Sequence, residues 1–136
     1  MKTKKIDLRV PIREGLLLLV GGVGYYAIEL AFRGRSHWSM ALCGGICLSA
    51  IYHLNRRLRR RPLLLRACLG ALIITAVEFC CGCIVNLSLG WRIWDYSRMP
   101  FQLLGQICLP FSLLWVALCL PVCAICSFIE PQKQKD

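Results

Sequence analysis

The sequence predicts an all-α fold, a polytopic membrane bundle of four transmembrane helices, and three observations carry that prediction. Hydrophobic residues make up 57% of the 136-residue chain, and its mean hydropathy is +0.59. Soluble domains run about 45–50% apolar with glycine counted, and a chain this short has too little interior to hide the excess. The charges, which sum to +10, fall in blocks separated by gaps about as long as the roughly 20 residues a spanning helix needs. The apolar fraction excludes a disordered tail. It also excludes the soluble nucleic-acid-binding module that a pI near 9.4 alone would suggest.

The gaps place spans at about 14–32, 36–55, 66–88 and 102–128, within a single integral membrane domain covering 1–136, with an external tip at 89–101. Glu29 is the only charge inside the first gap, Gly15 to Phe32, and Glu78 the only one inside the third, Ala67 to Gly90. Lysines ahead of Leu16 to Leu19 imitate a secretory leader. The long basic region, the absence of a small-x-small site and the position of Glu29 favour an uncleaved first span. The uncharged stretch from Met99 to Ile129 is too long for one straight helix, since it would extend roughly 46 Å against a hydrocarbon core of about 30 Å. Pro100, Pro110 and Pro121 mark its expected start and bends.

Basic residues orient the bundle, because cytoplasmic loops retain Lys and Arg. Lys2, Lys4, Lys5, Arg9 and Arg13 precede the first span; Arg56, Arg57, Arg59, Arg60, Arg61 and Arg66 separate the second from the third; Lys133 and Lys135 follow the fourth. Only Arg33, Arg35, Arg92 and Arg98 fall on the other side. The pattern predicts a multi-pass protein of the cell membrane with both termini cytoplasmic. Trp38, Trp91 and Trp94 stand near the external tips, where interfacial aromatics are expected.

Several motifs are best read as packing. Gly22-Val23-Gly24-Tyr25-Tyr26-Ala27 has the letters of a dinucleotide fingerprint but lies inside a span, where Gly21, Gly22, Gly24, Gly44 and Gly45 are expected to let helices approach. Cys80-x-x-Cys83 and Cys123-x-x-Cys126 fall at opposite ends of their spans and cannot share a tetrahedral metal. The ten cysteines are expected to be small apolar packing residues, and neither a metal nor a cofactor is expected. Arg56, Arg57, Arg59, Arg60 and Arg61 set topology and attract anionic lipid head groups. No aromatic platform accompanies them, so no nucleic-acid partner is expected.

The remaining polar groups form the candidate site. Glu29 and Glu78 are costly inside spans, and their depths overlap with those of Arg33, His37, Trp38, Asn86, Trp94, Asp95, Tyr96, Gln102 and Gln106. Two readings are open: these groups line an outward-facing polar site, or they only tie helices together. The order Glu29, Trp38, Gly44-Gly45-Ile46-Cys47 recurs as Glu78, Trp94, Gly105-Gln106-Ile107-Cys108. A parallel duplication of a two-span unit and chance both explain so short a match.

Trp94-Asp95-Tyr96-Ser97, Pro100-Phe101-Gln102, Gly105-Gln106-Ile107-Cys108-Leu109 and Ser112 to Trp115 also carry a family resemblance, joined by Glu29, Arg33-Gly34, His37-Trp38-Ser39-Met40 and Gly44-Gly45-Ile46. Together they resemble the family that groups bacterial CmpB-type ABC-transporter permeases with eukaryotic transmembrane protein 229. Gln102 stands where that pattern has asparagine, which keeps the amide. The resemblance implies a permease or permease-subunit role. No Gly-x-x-x-x-Gly-Lys-Ser/Thr loop is present, so ATP hydrolysis would fall to a separate subunit. Four spans are few for a complete path, which makes a homo-oligomer an expected partner alongside membrane lipids. The rival functions are a lipid-modifying membrane enzyme, with a carboxylate or His37 as general base, and a non-catalytic lipid-binding or assembly factor. No catalytic constellation stands at recognisable spacing, so no enzyme activity is expected.

Overall fold

A computed structural model describes residues 8–34 and 37–129, apart from the side chains of Phe32 and Arg33. Four long helices dominate: α1 (Arg9–Arg33), α2 (Trp38–Arg57), α3 (Leu63–Gly82) and α4 (Leu109–Ile129). One wide π-helical turn, Cys83–Ser88, continues α3, and two short strands, β1 (Gln102–Leu103) and β2 (Ile107–Cys108), precede α4. Among the described residues, Arg9–Ala31, Leu63–Ser88 and Leu109–Ile129 are long and apolar enough to cross a membrane. α2 is not among these, because Ser39, Ser49, His53, Asn55, Arg56 and Arg57 dilute its apolar character.

The chain forms two compact units, Met1–Ser49 and Ala50–Asp136, with the boundary inside α2. In the first unit, glycine lets two helices meet. A Cβ on Gly21 would lie 2.6 Å from the Gly44 carbonyl oxygen, and one on Gly45 would lie 2.6 Å from that of Leu18. Both are closer than real Cβ atoms come, so the seam exists only with glycine on each side. Gly24 corrects the expectation at one position: nothing lies within 4 Å of where its Cβ would be. Leu16, Leu19, Val20 and Val23 leave an apolar surface of α1 uncovered by protein, as a lipid-facing side requires. α1 ends at Gly34, whose left-handed φ of 71° lets its amide donate to the Leu30 carbonyl at 3.0 Å.

In the second unit α3 packs on α4 through small side chains. Ala67 and Cys119 are fully buried, and a Cβ on Gly70 would meet the Cys119 Sγ at 3.1 Å. Cys119 and Cys123 thus fill core space as expected.

The start of α4 corrects the fourth predicted span. Residues 102–108 are not helical: Gln102 pairs with Cys108 and Leu103 with Ile107 in an antiparallel ladder. Left-handed backbone at Leu104 (φ 52°) and Gly105 (φ 71°) makes the turn between them. The tip therefore extends to Cys108. α4 keeps 21 residues, roughly 31 Å at helical rise, which removes the excess length. Pro110 sits in its first turn, where an amide hydrogen has no partner to lose. Pro121 stays inside the helix. The apparent repeat also has no counterpart in local structure, because Gly44 to Cys47 lie within α2 and Gly105 to Cys108 lie in the hairpin.

Candidate functional site

Trp94 and Tyr96 are buried while Asp95 between them is exposed, an alternation that extended backbone imposes. The Tyr96 amide donates to the Gly105 carbonyl at 2.7 Å, fastening the two halves of the tip together. Asp95 Oδ1 accepts from the Ser97 amide at 2.9 Å. That bond, with the Ser97 hydroxyl and then Arg98 and Arg92 assisting, holds the Asp95 carboxyl below its ordinary value. A Cβ on Gly105 would lie 2.7 Å from Asp95 Oδ1, so the tight turn needs glycine there for space as well as for φ.

Gln106 is the hub beneath the tip. Its Oε1 accepts from Asn86 Nδ2 at 2.8 Å, its Nε2 donates to the Leu104 carbonyl at 2.9 Å, and its own carbonyl accepts from Trp94 Nε1 at 3.0 Å. Asn86 completes the set, with its Oδ1 accepting from the Ile93 amide at 2.7 Å. The π-helical turn carries Asn86 into this buried position, an offset that wide turns supply and regular helix does not. Gly82, just before it, leaves room: a Cβ there would lie 2.5 Å from Gln106 Oε1 and 3.0 Å from the Trp94 ring. Gln102 closes the hairpin, its Oε1 accepting from the Gly105 amide at 2.6 Å.

Glu78 lies deeper on α3 and is only 3% exposed. Its Oε1 accepts from the Tyr96 hydroxyl at 2.8 Å and its Oε2 from Trp115 Nε1 at 3.2 Å. Phe111 stacks on Tyr96 with ring centroids 4.9 Å apart, closing an aromatic wall over the carboxylate. Thus the tip and α4 each hold one oxygen of the same buried carboxyl. Such an arrangement can position a carboxylate, and exchange of either donor would free an oxygen for a hydrogen-bond donor or cation.

The structure therefore brings together Glu78, Asn86, Trp94, Tyr96, Gln102 and Gln106, with Asp95 on the exposed rim. Trp94 is buried, with its indole N–H committed to the Gln106 carbonyl; Trp38 and Trp91 are exposed. Glu29, His37 and Trp38 belong to the first unit, and the side chain of Arg33 lies outside the described residues. Glu29 is buried there. His37 Nδ1 accepts from the Ser39 amide at 3.2 Å and lies 2.7 Å from its hydroxyl, so it caps the start of α2. Among the described residues no three His, Cys, Asp or Glu side chains gather in a way that could hold a metal ion.

The sequence reading missed a second polar cluster at the arginine-rich end. Arg66 is only 7% exposed, and its Nη1 donates to Asn55 Oδ1 at 2.8 Å and to the Ser127 hydroxyl. Its Nε donates to the Arg61 carbonyl at 3.2 Å. Arg59 Nη2 donates to the Ser127 carbonyl at 3.0 Å. The signal was available in the offset of Arg66 from its neighbours, inside the apolar run Leu63 to Leu69 rather than within 56–61.

A model of the protein family described as "Putative ABC-transporter type IV" matches residues 18–135, most of the chain and all of both polar clusters. No curated protein and no solved structure matches it.

Proposed function

Since the chain belongs to the putative ABC-transporter type IV family, we propose that it is a membrane-embedded transporter component with a polar site centred on Glu78, closed by the tip at 89–108. The observation that carries this reading is the sharing of one buried carboxylate between Tyr96 of the tip and Trp115 of α4. A carboxyl inside a span costs about 2.5 kcal/mol or more. Two neutral donors offset part of that cost, and a passing solute that supplies a donor or a positive charge would replace them. Asp95, on the exposed rim beside Arg92 and Arg98, meets solute first.

In this reading α2 forms the fourth span, and the arginine-rich end and both termini are cytoplasmic by the distribution of basic residues. The chain performs no covalent chemistry, needs no cofactor and binds no nucleic acid. ATP is hydrolysed by a separate subunit, and further copies of the chain complete the path. The test uses the complex reconstituted in proteoliposomes. Glu78→Gln is expected to insert at wild-type levels and to lower ATP turnover by about tenfold, with Asp95→Asn giving a smaller loss. Normal insertion with full turnover in both variants would remove the polar site from the account.

A further inference from the structure

At the arginine-rich end of the second unit a small pocket is lined by Tyr52, Asn55, Arg56, Arg59, Cys126 and Ser127. Arg66 stands directly behind this wall, bonded to Asn55 and Ser127, both of which line the pocket. Arginine keeps its charge under all physiological conditions. Yet every bond Arg66 makes among the described residues goes to a neutral oxygen: an amide, a hydroxyl and a peptide carbonyl. A guanidinium removed from water this far is retained when a counter-charge is near.

Among the described residues the surroundings supply more positive charge instead. Arg56 and Arg59 line the same pocket. Arg66 also occupies the first turn of α3, where the helix dipole is already positive, with no acidic residue in that turn and no side-chain cap. Three guanidinium groups therefore surround or back a single concavity. Beside them Ser127 carries a hydroxyl, a donor with which proteins hold tetrahedral oxyanions, while the Asn55 amide is spent on the Ile51 carbonyl and Cys123 Sγ and fixes the wall.

We infer that this pocket is a binding site for a phosphate-bearing anion, with Arg59 as the direct ligand and Arg66 as the buried charge behind it. A membrane phospholipid head group and free phosphate share that chemistry. The site differs from a diffuse basic surface in one respect that can be measured. Diffuse attraction depends on charge alone, whereas a pocket depends on the planar two-pronged geometry that arginine has and lysine lacks.

The experiment measures binding of fluorescent phosphatidylglycerol and of phosphatidylcholine to the full chain in mild detergent, with and without inorganic phosphate. Arg59→Lys is expected to weaken phosphatidylglycerol binding about tenfold, while Arg9→Lys, at an exposed position outside the pocket, leaves it unchanged. Both variants keep the positive charge that sets topology. Tight phosphatidylglycerol binding that phosphate does not displace assigns a lipid head group. Displacement by millimolar phosphate, lost in Arg59→Lys, assigns free phosphate. Equal behaviour of the two variants, or no binding of either anion to the native chain, overturns the site. So does binding that appears only in Glu130→Gln/Asp136→Asn, since the chain's own tail would then be the counter-ion.

Discussion

The two polar clusters of the second unit solve the problem of buried polarity in opposite ways. At the tip, Gln106, Asn86, Trp94, Tyr96 and Glu78 form a layer in which donors and acceptors are matched within the chain. At the other end Arg66, with Arg59 and Arg56 close by, places cationic donors against neutral oxygens. The first arrangement is closed by its own hydrogen bonds; the second, among the described residues, is balanced in hydrogen bonds and unbalanced in charge. The contrast separates two meanings of a polar residue in an apolar helix, one that specifies a fold and one that calls for something from outside.

The largest effect that would break the comparison is expected at Gly82. A Gly82→Ala side chain would press on Gln106 Oε1 and on the Trp94 ring, and the Gln106 side chain cannot move without losing two hydrogen bonds. A loss of about 2–3 kcal/mol is expected, read as a lowered thermal midpoint in detergent. Gly24→Ala serves as the contrast, because open space lies at that position and alanine favours helix by roughly 0.5–1 kcal/mol. Gln106→Leu comes next. Asn86 Nδ2 would lose its acceptor inside the layer, at a cost of about 1–3 kcal/mol, and limited proteolysis should then cut the tip first.

Arg66→Met sharpens the other half of the comparison. With the anion bound, removing the charge should destabilise the chain; with the anion stripped away, it should be neutral or stabilising by about 1–4 kcal/mol. Thermal midpoints in phosphatidylglycerol and in phosphatidylcholine therefore should shift in different directions on this substitution. Identical shifts would show that no lipid charge balances Arg66.

The smallest effect belongs to Asp95. Its folded-state value lies below the ordinary 3.8, so its bond to Ser97 contributes fully above pH 3.8 and is lost as pH falls through the lowered value. Hydrogen exchange at the Ser97 amide should accelerate only in that acid window. Asp95→Asn should abolish this pH dependence while keeping the turn.

Sequence reading reached some of this and not the rest, for identifiable reasons. The glycine seam was legible because Gly21, Gly44 and Gly45 stand without apolar substitutes inside apolar runs. The tip was legible from Trp94-Asp95-Tyr96-Ser97, and Glu78 from its isolation in the third gap. The hairpin at 102–108 was missed, since Gln-Leu-Leu-Gly-Gln-Ile-Cys is as apolar as a span and its turn depends on left-handed backbone at Leu104, a residue that rarely adopts it. The π-helical turn was missed because its cause, the matching of Asn86 to Gln106 and Ile93, lies in tertiary contacts. Arg66 was counted with its exposed neighbours because charge blocks hide which member turns inward.

The central claim is that the chain is the membrane part of a transporter whose energy comes from another chain. Native mass spectrometry of the gently purified protein tests it most directly. The account predicts a complex in which a second polypeptide bearing a Gly-x-x-x-x-Gly-Lys-Ser/Thr loop accompanies this chain in fixed stoichiometry. Recovery of this chain alone or as a bare oligomer, with lipid but no ATP-hydrolysing subunit, would contradict it.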